Sequence, residues 1–261
     1  MKIVKLYLLS LTLAGAQAQT VKNVQSSSGD TSKRIKNIVL VHGAFVDGSG
    51  WRPVYDILEK KGFHVSVVQH SLTSFANDVA SVKRVIDMQD GPSILVAHSY
   101  GGSLITAAGN DARVAGLVYI AAHAIDSGET QAGNGKRYPP AYTSLIKGAD
   151  GLDYIDPSRF YQDFAADLPA LRAAFLANAQ MPAADEVFHA MIPQPAWKIK
   201  PSWYMVAKSD RIINPDLERM YARRAGSHTV EVAGASHSVF ESHPEEVAAL
   251  IMQAAANAGS N

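Results

Sequence analysis

The sequence predicts an α/β fold: a doubly wound, mostly parallel sheet of about six strands with a helical cap insertion. Three observations carry that expectation. Short segments such as Asn37-Ile38-Val39-Leu40-Val41 are apolar without alternation, the mark of strands covered on both faces. Segments with helical three-and-four spacing alternate with them along the chain. The alternation stops once, near Ser127, and resumes near Lys200. A gap of that length inside a repeating unit far exceeds ordinary connections and indicates a lid or substrate-binding cap.

Composition narrows the class of partner. The chain has 261 residues, long for one domain but within the range of a single α/β core. Lys+Arg and Asp+Glu both number 24 and no basic run or stripe is present, so nucleic acid is not an expected partner. Residues 1–18 read as a secretory signal peptide. Lys2 and Lys5 mark a short charged start before an apolar run, Leu6 to Ala14, interrupted only by Ser10 and Thr12, and Ala16-Gln17-Ala18 forms a small-x-small cleavage site. The run is too short to span a bilayer comfortably, so no stable membrane association is expected. The mature protein is expected in the periplasm or the medium. The chain has no cysteine, so no lipid-modified cysteine follows the cleavage site and no disulfide staples the exported fold. Residues 19–36, rich in Gln, Asn, Ser and Thr, read as a flexible lead.

The domain proper is expected over residues 37–261. The first strand, Asn37 to Val41, runs into the glycine-rich loop His42-Gly43-Ala44-Phe45-Val46-Asp47-Gly48-Ser49-Gly50. A helix from Trp51 to Lys61 stops at Gly62, and Phe63 to Gln69 forms the second strand. Val79, Val82, Val85 and Ile86 predict an amphipathic helix over Asn77 to Met88. After the Gly91-Pro92 break comes Ser93 to Gly102, S-I-L-V-A-H-S-Y-G-G: a buried strand, a tight turn at a serine, and a small-residue helix continuing to Gly109. Val114 to Ala122 is the fourth strand.

The cap, about 127–200, shows no clear strand. Prolines divide it into helical pieces such as Ser158–Ala166, Ala170–Ala179 and Ala183–Met191, and it is dense in aromatics. Most of those rings are expected to pack among themselves, with about two or three turned toward a pocket. Ser202 to Ala207 and Thr229 to Val232 complete the sheet, separated by a helix from Pro215 to Ala225. A terminal helix runs from Pro244 to about Ala256.

A strand that ends in small-x-Ser-x-Gly and re-enters as a helix is a nucleophile elbow, with Ser99 at its tip. Serine needs a neighbouring base, and a histidine held in one tautomer by a buried carboxylate serves best. In this arrangement the acid and then the histidine follow the serine along the chain, each on a loop at a strand's carboxyl end. Asp210 and His237 meet those demands. Asp126, after the fourth strand, is the alternative acid. Asp216 sits at a helix start, where capping accounts for it. His98 adjoins Ser99 but is not the expected base; His42 and His123 also sit near strand ends but do not follow the acid in order, and His243, the nearest rival, directly precedes Pro244 and belongs to the helix entry. The oxyanion would meet two backbone N–H groups, one from Tyr100 after the serine and one from Ala44 in the loop after the first strand. No His/Asp/Glu cluster has metal-ligand spacing, and neither metal nor cofactor is expected.

With these residues in place, V-L-V-H-G-A, V-A-H-S-Y-G-G, S-D-R-I and G-A-S-H stand in the order of the α/β-hydrolase superfamily, which the chain resembles over nearly its whole length beyond the leader. The compact cap and the H-G-A loop resemble most the small esterases related to plant methylesterases and hydroxynitrile lyases. Ala97 departs from the glycine usual at that position of the elbow. The lyases carry a threonine where Gly43 stands and a lysine after the catalytic histidine, where this chain has Ser238; the dehalogenases and epoxide hydrolases use an aspartate in place of Ser99. With the leader giving export, the resemblance therefore implies a serine hydrolase that cleaves small, uncharged carboxylic esters through an acyl-enzyme on Ser99. The same triad also supports perhydrolysis or haloperoxidase chemistry and the hydrolysis of lactones or carbon–carbon bonds. A ligand-binding protein on the same fold is the alternative from another class.

Overall fold

The computed structural model describes residues 34–259. The expected signal peptide, and the lead as far as residue 33, lie outside the described residues. The last part of that lead is packed: Ile35 is buried and its N–H donates to the Ala255 carbonyl at 2.9 Å.

The central sheet has six strands, every neighbouring pair parallel. They are β1 (Asn37–Val41), β2 (His64–Val68), β3 (Ser93–Ser99), β4 (Val114–Ala122), β8 (Ser202–Ala207) and β9 (His228–Val232), in the spatial order β2-β1-β3-β4-β8-β9. Alternate side chains enter two separate apolar layers, the consequence of a period of two on a sheet covered twice. Ile38, Leu40, Ile94, Val96 and Trp203 pack under α1 (Arg52–Lys60) and α9 (Pro244–Asn257). Val39, Val41, Leu95, Ala97 and Tyr204 pack under α2 (Phe75–Asp87), α3 (Gly101–Ala108) and α7 (Pro215–Arg224). Each helix turns its apolar stripe to the sheet, Val54 and Leu58 for α1, Val82 and Ile86 for α2.

The cap departs from the helical expectation. It contains α4 (Gln131–Arg137), α5 (Pro157–Phe164) and α6 (Ala170–Asn178), but also a small antiparallel sheet of β5 (Leu145–Lys147), β6 (Leu152–Ile155) and β7 (Ala183–Ala184). Residues 183–191, expected as a helix, form β7 and a single 3-10 turn at Asp185–His189. These strands are too short for alternation to register in the sequence, and the turn between β5 and β6 depends on Gly151 at φ +81°. The cap has no core of its own. Phe160, Phe164, Leu176 and Trp197 join the same apolar layer as the sheet's α2/α3/α7 face. A short helix after the last loop, α8 (Val239–Ser242), was not expected.

The elbow is where backbone meets backbone. Ser99 adopts φ +52° at the end of β3, a left-handed conformation that a non-glycine residue holds only under surrounding constraint. A Cβ on Gly101 would lie 2.6 Å from the His42 carbonyl oxygen, and one on Gly102 would lie 2.6 Å from that of His123. The ends of β1 and β4 thus close on the start of α3 with no room for a methyl group. Across from them β4 bulges: Ser99 pairs with Ala122, and Ala121 takes φ +42° as the extra residue.

Gly101→Ala is therefore expected to lower stability by roughly 2–3 kcal/mol, because the obstacle is strand backbone and cannot rotate away. Gly135→Ala, at a site in α4 with nothing within 4 Å, should be neutral or gain roughly 0.5–1 kcal/mol. Urea unfolding of the two variants checks the contrast; equal stabilities would refute the close-approach account.

Candidate active site

The carboxyl ends of β3, β8 and β9 bring three loops to one edge of the sheet. Ser99 stands at the first, Asp210 beyond the second, His237 beyond the third. His237 Nε2 lies 2.9 Å from Ser99 Oγ and its Nδ1 lies 2.6 Å from Asp210 Oδ2. His237 is fully enclosed, and Ser99 keeps 6% of its surface exposed, facing a cavity. Asp210 Oδ1 accepts from the Ile212 and Ile213 N–H groups at 2.7 and 2.9 Å, so both oxygens of this carboxylate have donors.

Asp126, the alternative acid, lies elsewhere. Its carboxylate is paired with Lys198 at 2.5 Å, at the outer side of the cap junction. His98 is also engaged away from the serine. Its Nε2 lies 2.9 Å from the His237 carbonyl, which makes that nitrogen the donor, and its ring stacks on Phe240. Burial, with His237 beside it, pushes His98 well below the usual histidine range, while burial and the adjacent His70 push His42 down to about 3. Burial likewise lowers His123 to about 3. These three imidazoles are neutral near pH 7, and none touches both Ser99 and a carboxylate.

Ala44 and Tyr100 both line the cavity at the serine. Gly43 brings the loop there: its Cβ position is 2.7 Å from Ser99 Cβ, so a threonine like that of the lyases does not fit. Behind these residues lies a buried network that the sequence pattern does not reveal. Asp78 accepts from Tyr100 Oη at 2.9 Å and from the Ser71 and Leu72 N–H groups, and faces His70 Nδ1 at 3.5 Å. His70 in turn stacks on His42 at 3.7 Å and places its Nε2 3.1 Å from the His42 carbonyl. One carboxylate thus ties the Tyr100 side of the site to the loop that carries Ala44. Burial works to raise Asp78, but bonds from His70, Tyr100 and Leu72 outweigh it and hold the carboxyl below its ordinary range.

The loop of His237 is held from the cap. The Phe164 carbonyl accepts from Ser238 N–H and Ser238 Oγ at 3.1 Å each, and Asp167 accepts from the Ser236 N–H at 3.1 Å and Ser242 Oγ at 2.7 Å. The Phe164 ring stands edge-on to the imidazole at 4.8 Å. The cap therefore supports the histidine as well as roofing the pocket.

Glu218 completes the group under Asp210. It is fully buried, and its Oε2 accepts only the Ala207 N–H at 3.1 Å while Oε1 has no partner. Burial, and then the charge of Asp210, push its carboxyl well above the usual range, toward the protonated form, which alone has a hydrogen to offer a neighbouring carboxylate.

The cavity holds about 350 Å³. Phe45, Phe188, Leu217 and Ile212 make much of its wall, and of the cap aromatics Tyr138, Tyr142 and Phe188 reach it. Among the described residues no group of three or more His, Asp or Glu side chains is placed to hold a metal ion.

Fold and site together define an α/β hydrolase. Residues 38–250 match the alpha/beta hydrolase family, and the chain belongs to it. It is 28% identical over 251 residues to a pyrethroid hydrolase of Sphingobium wenxiniae, covering 83% of this chain and 86% of that one. It shares its fold with a pyrethroid hydrolase from Sphingobium faniae (TM-score 0.73, 23% identity, 85% of this chain and 98% of that one). A methylesterase from Arabidopsis superposes with TM-score 0.67 at 19% identity, covering 84% of this chain and 98% of that one. The resemblance to small esterases holds.

Glu218→Gln, which keeps a donor at the same place, is expected to leave kcat for a simple ester within about threefold of the parent. Glu218→Leu removes that donor and should lower kcat about tenfold, the worth of one hydrogen bond to a charged partner. Steady-state rates at pH 7, alongside melting temperatures, separate this from a packing defect; two variants of equal rate would show that the proton on Glu218 does nothing for Asp210.

Proposed function

We propose that this protein is an exported carboxylesterase that hydrolyses small, uncharged esters through an acyl-enzyme on Ser99. The observation that carries the reading is the unbroken hydrogen-bond chain Asp210–His237–Ser99 opening into a mainly apolar cavity. In the first step Ser99 Oγ attacks the ester carbonyl carbon as His237 Nε2 takes the hydroxyl proton. The negative charge formed on the carbonyl oxygen is met by the Ala44 and Tyr100 N–H groups, and Asp210 stabilises the imidazolium. Collapse expels the alcohol, which leaves with the proton from His237. Water then attacks the acyl carbon, His237 accepting its proton, and as the bond from the acyl carbon to Ser99 Oγ breaks His237 returns that proton to Ser99, releasing the carboxylic acid.

The size and lining of the cavity favour esters with apolar flanks. The pyrethroid hydrolase and methylesterase names of the relatives point the same way. Export rests on the pattern of residues 1–18 alone. Ser99→Ala should reduce hydrolysis of p-nitrophenyl butyrate by at least about a thousandfold, with a melting temperature within a few degrees of the parent. It should also abolish labelling by a fluorophosphonate; retained turnover or labelling would overturn the assignment. For export, expression of the full chain should yield a product beginning after Ala18 in the periplasm or medium. Cytoplasmic retention of an uncleaved chain would count against it.

A further inference from the structure

The side chains of β6 alternate between the two sides of the small cap sheet. Ile155, buried, joins the main apolar layer, and Asp153, two residues away on the same face, is only 2% exposed. A carboxylate at a position where the pattern calls for an apolar residue is costly unless it is paired. Asp153 is poorly paired. Its nearest cation, Lys147 Nζ, is 3.6 Å from Oδ2, beyond hydrogen-bond length, and is committed to Asp185 at 2.6 Å. Lys147 itself is largely in solvent. Asp153 Oδ2 is buried without a hydrogen-bond partner. The same residue lines the cavity that contains Ser99.

We infer that Asp153 forms a polar subsite in the roof of the pocket that accepts a hydrogen bond from a hydroxyl group on the substrate, remote from the scissile ester. The inference rests on Ser99 as the nucleophile, since it is the shared cavity that puts the subsite within reach of a bound ester. The neighbouring charges select a neutral donor. Asp185 pairs with Lys147 at 2.6 Å and with His189 at 3.3 Å, and Lys136 also lines the cavity, so two lysines stand against the two carboxylates there. A substrate ammonium at Asp153 would face Lys147, whereas a hydroxyl adds no charge and supplies the missing donor. The preferred esters are accordingly hydroxylated ones, apolar along most of their length.

The test compares matched pairs of esters: p-nitrophenyl alkanoates against their ω-hydroxy counterparts from four to eight carbons, and alkyl acetates against ω-hydroxyalkyl acetates. The ratio of kcat/KM, hydroxylated over plain, is read for the parent, Asp153→Leu and Asp153→Asn, with melting temperatures as the check on folding. In one of the two series, at one chain length or more, Asp153→Leu should lower this ratio at least tenfold while plain esters are cleaved as fast or faster. Asp153→Asn, which keeps an acceptor oxygen, should fall between, and carries the test if the leucine variant does not fold. An unchanged ratio in both series, with plain esters still turned over, overturns the subsite and leaves the esterase reading intact. An ω-ammonio ester preferred over the hydroxyl ester overturns the choice of a neutral donor. Hydrolysis of plain esters that survives Ser99→Ala would instead overturn the underlying reading, so the two failures are distinct.

Discussion

Everything at this site depends on three strand ends meeting at backbone contact. β1, β3 and β4 run parallel in adjacent register, so their carboxyl ends arrive at the same height. The chain after β3 must then turn into α3 in the space left by its two neighbours. Gly43, Gly101 and Gly102 supply that space by lacking a side chain, and Ser99 takes the left-handed conformation that remains. The conformation is unfavourable for serine taken alone. It persists because the sheet pairing on both sides overdetermines it. A serine presented this way has its hydroxyl 2.9 Å from the imidazole of His237, and Tyr100, the residue that follows it, lines the same cavity at the start of α3.

Geometry of this kind concentrates charge where water is excluded, and the arrangement of protons has to follow. Asp210 has three donors and Glu218 has one, and burial with the Asp210 charge pushes the Glu218 carboxyl well above its ordinary range. Around them His42, His98 and His123 are held neutral by burial, so that no second cation competes with an imidazolium on His237. Asp78 plays the corresponding part at the other end of the serine, anchoring the Tyr100 side chain and, through His70, the His42 carbonyl. The two buried carboxylates are coupled to the site through different loops, one beneath the acid and one behind the expected oxyanion donors.

What the sequence disclosed, and what it hid, follow from the same physics. The meeting of Ser99, Asp210 and His237 was legible because Ser99 closes one continuous apolar run and Asp210 follows another, while His237 lies in the loop after the last short strand. The sheet was legible for the same reason. Asp78 and Glu218 were not, because an acidic residue in the first turn of a helix has an ordinary explanation in the helix dipole, and only the packing shows that both are enclosed. The cap hairpin escaped because three- and four-residue strands carry too few positions to show a period. Asp153 escaped with it: without the strand there is no face, and without the face a carboxylate between Leu152 and Tyr154 reads as a solvated loop residue.

The cap, finally, is not a lid in the mechanical sense. Phe164 and Asp167 hold the histidine loop, Asp163 pairs with Arg211 next to the acid at 2.9 Å, and Asn134 bonds to Tyr221 of α7 at 3.0 Å. Gln131 reaches Ser103 of α3 at 2.7 Å, and the cap's large apolar side chains belong to the same layer as the sheet. Lifting such a cap as one body would release the His237 loop, loosen the Asp210 loop and expose a core face together. Closure over a substrate therefore cannot be the source of selectivity without disturbing the loops that hold His237 and Asp210. Selectivity must lie in the standing wall: the apolar side chains that admit the flanks of an ester, and the few polar groups among them whose hydrogen-bonding capacity the fold leaves unmet.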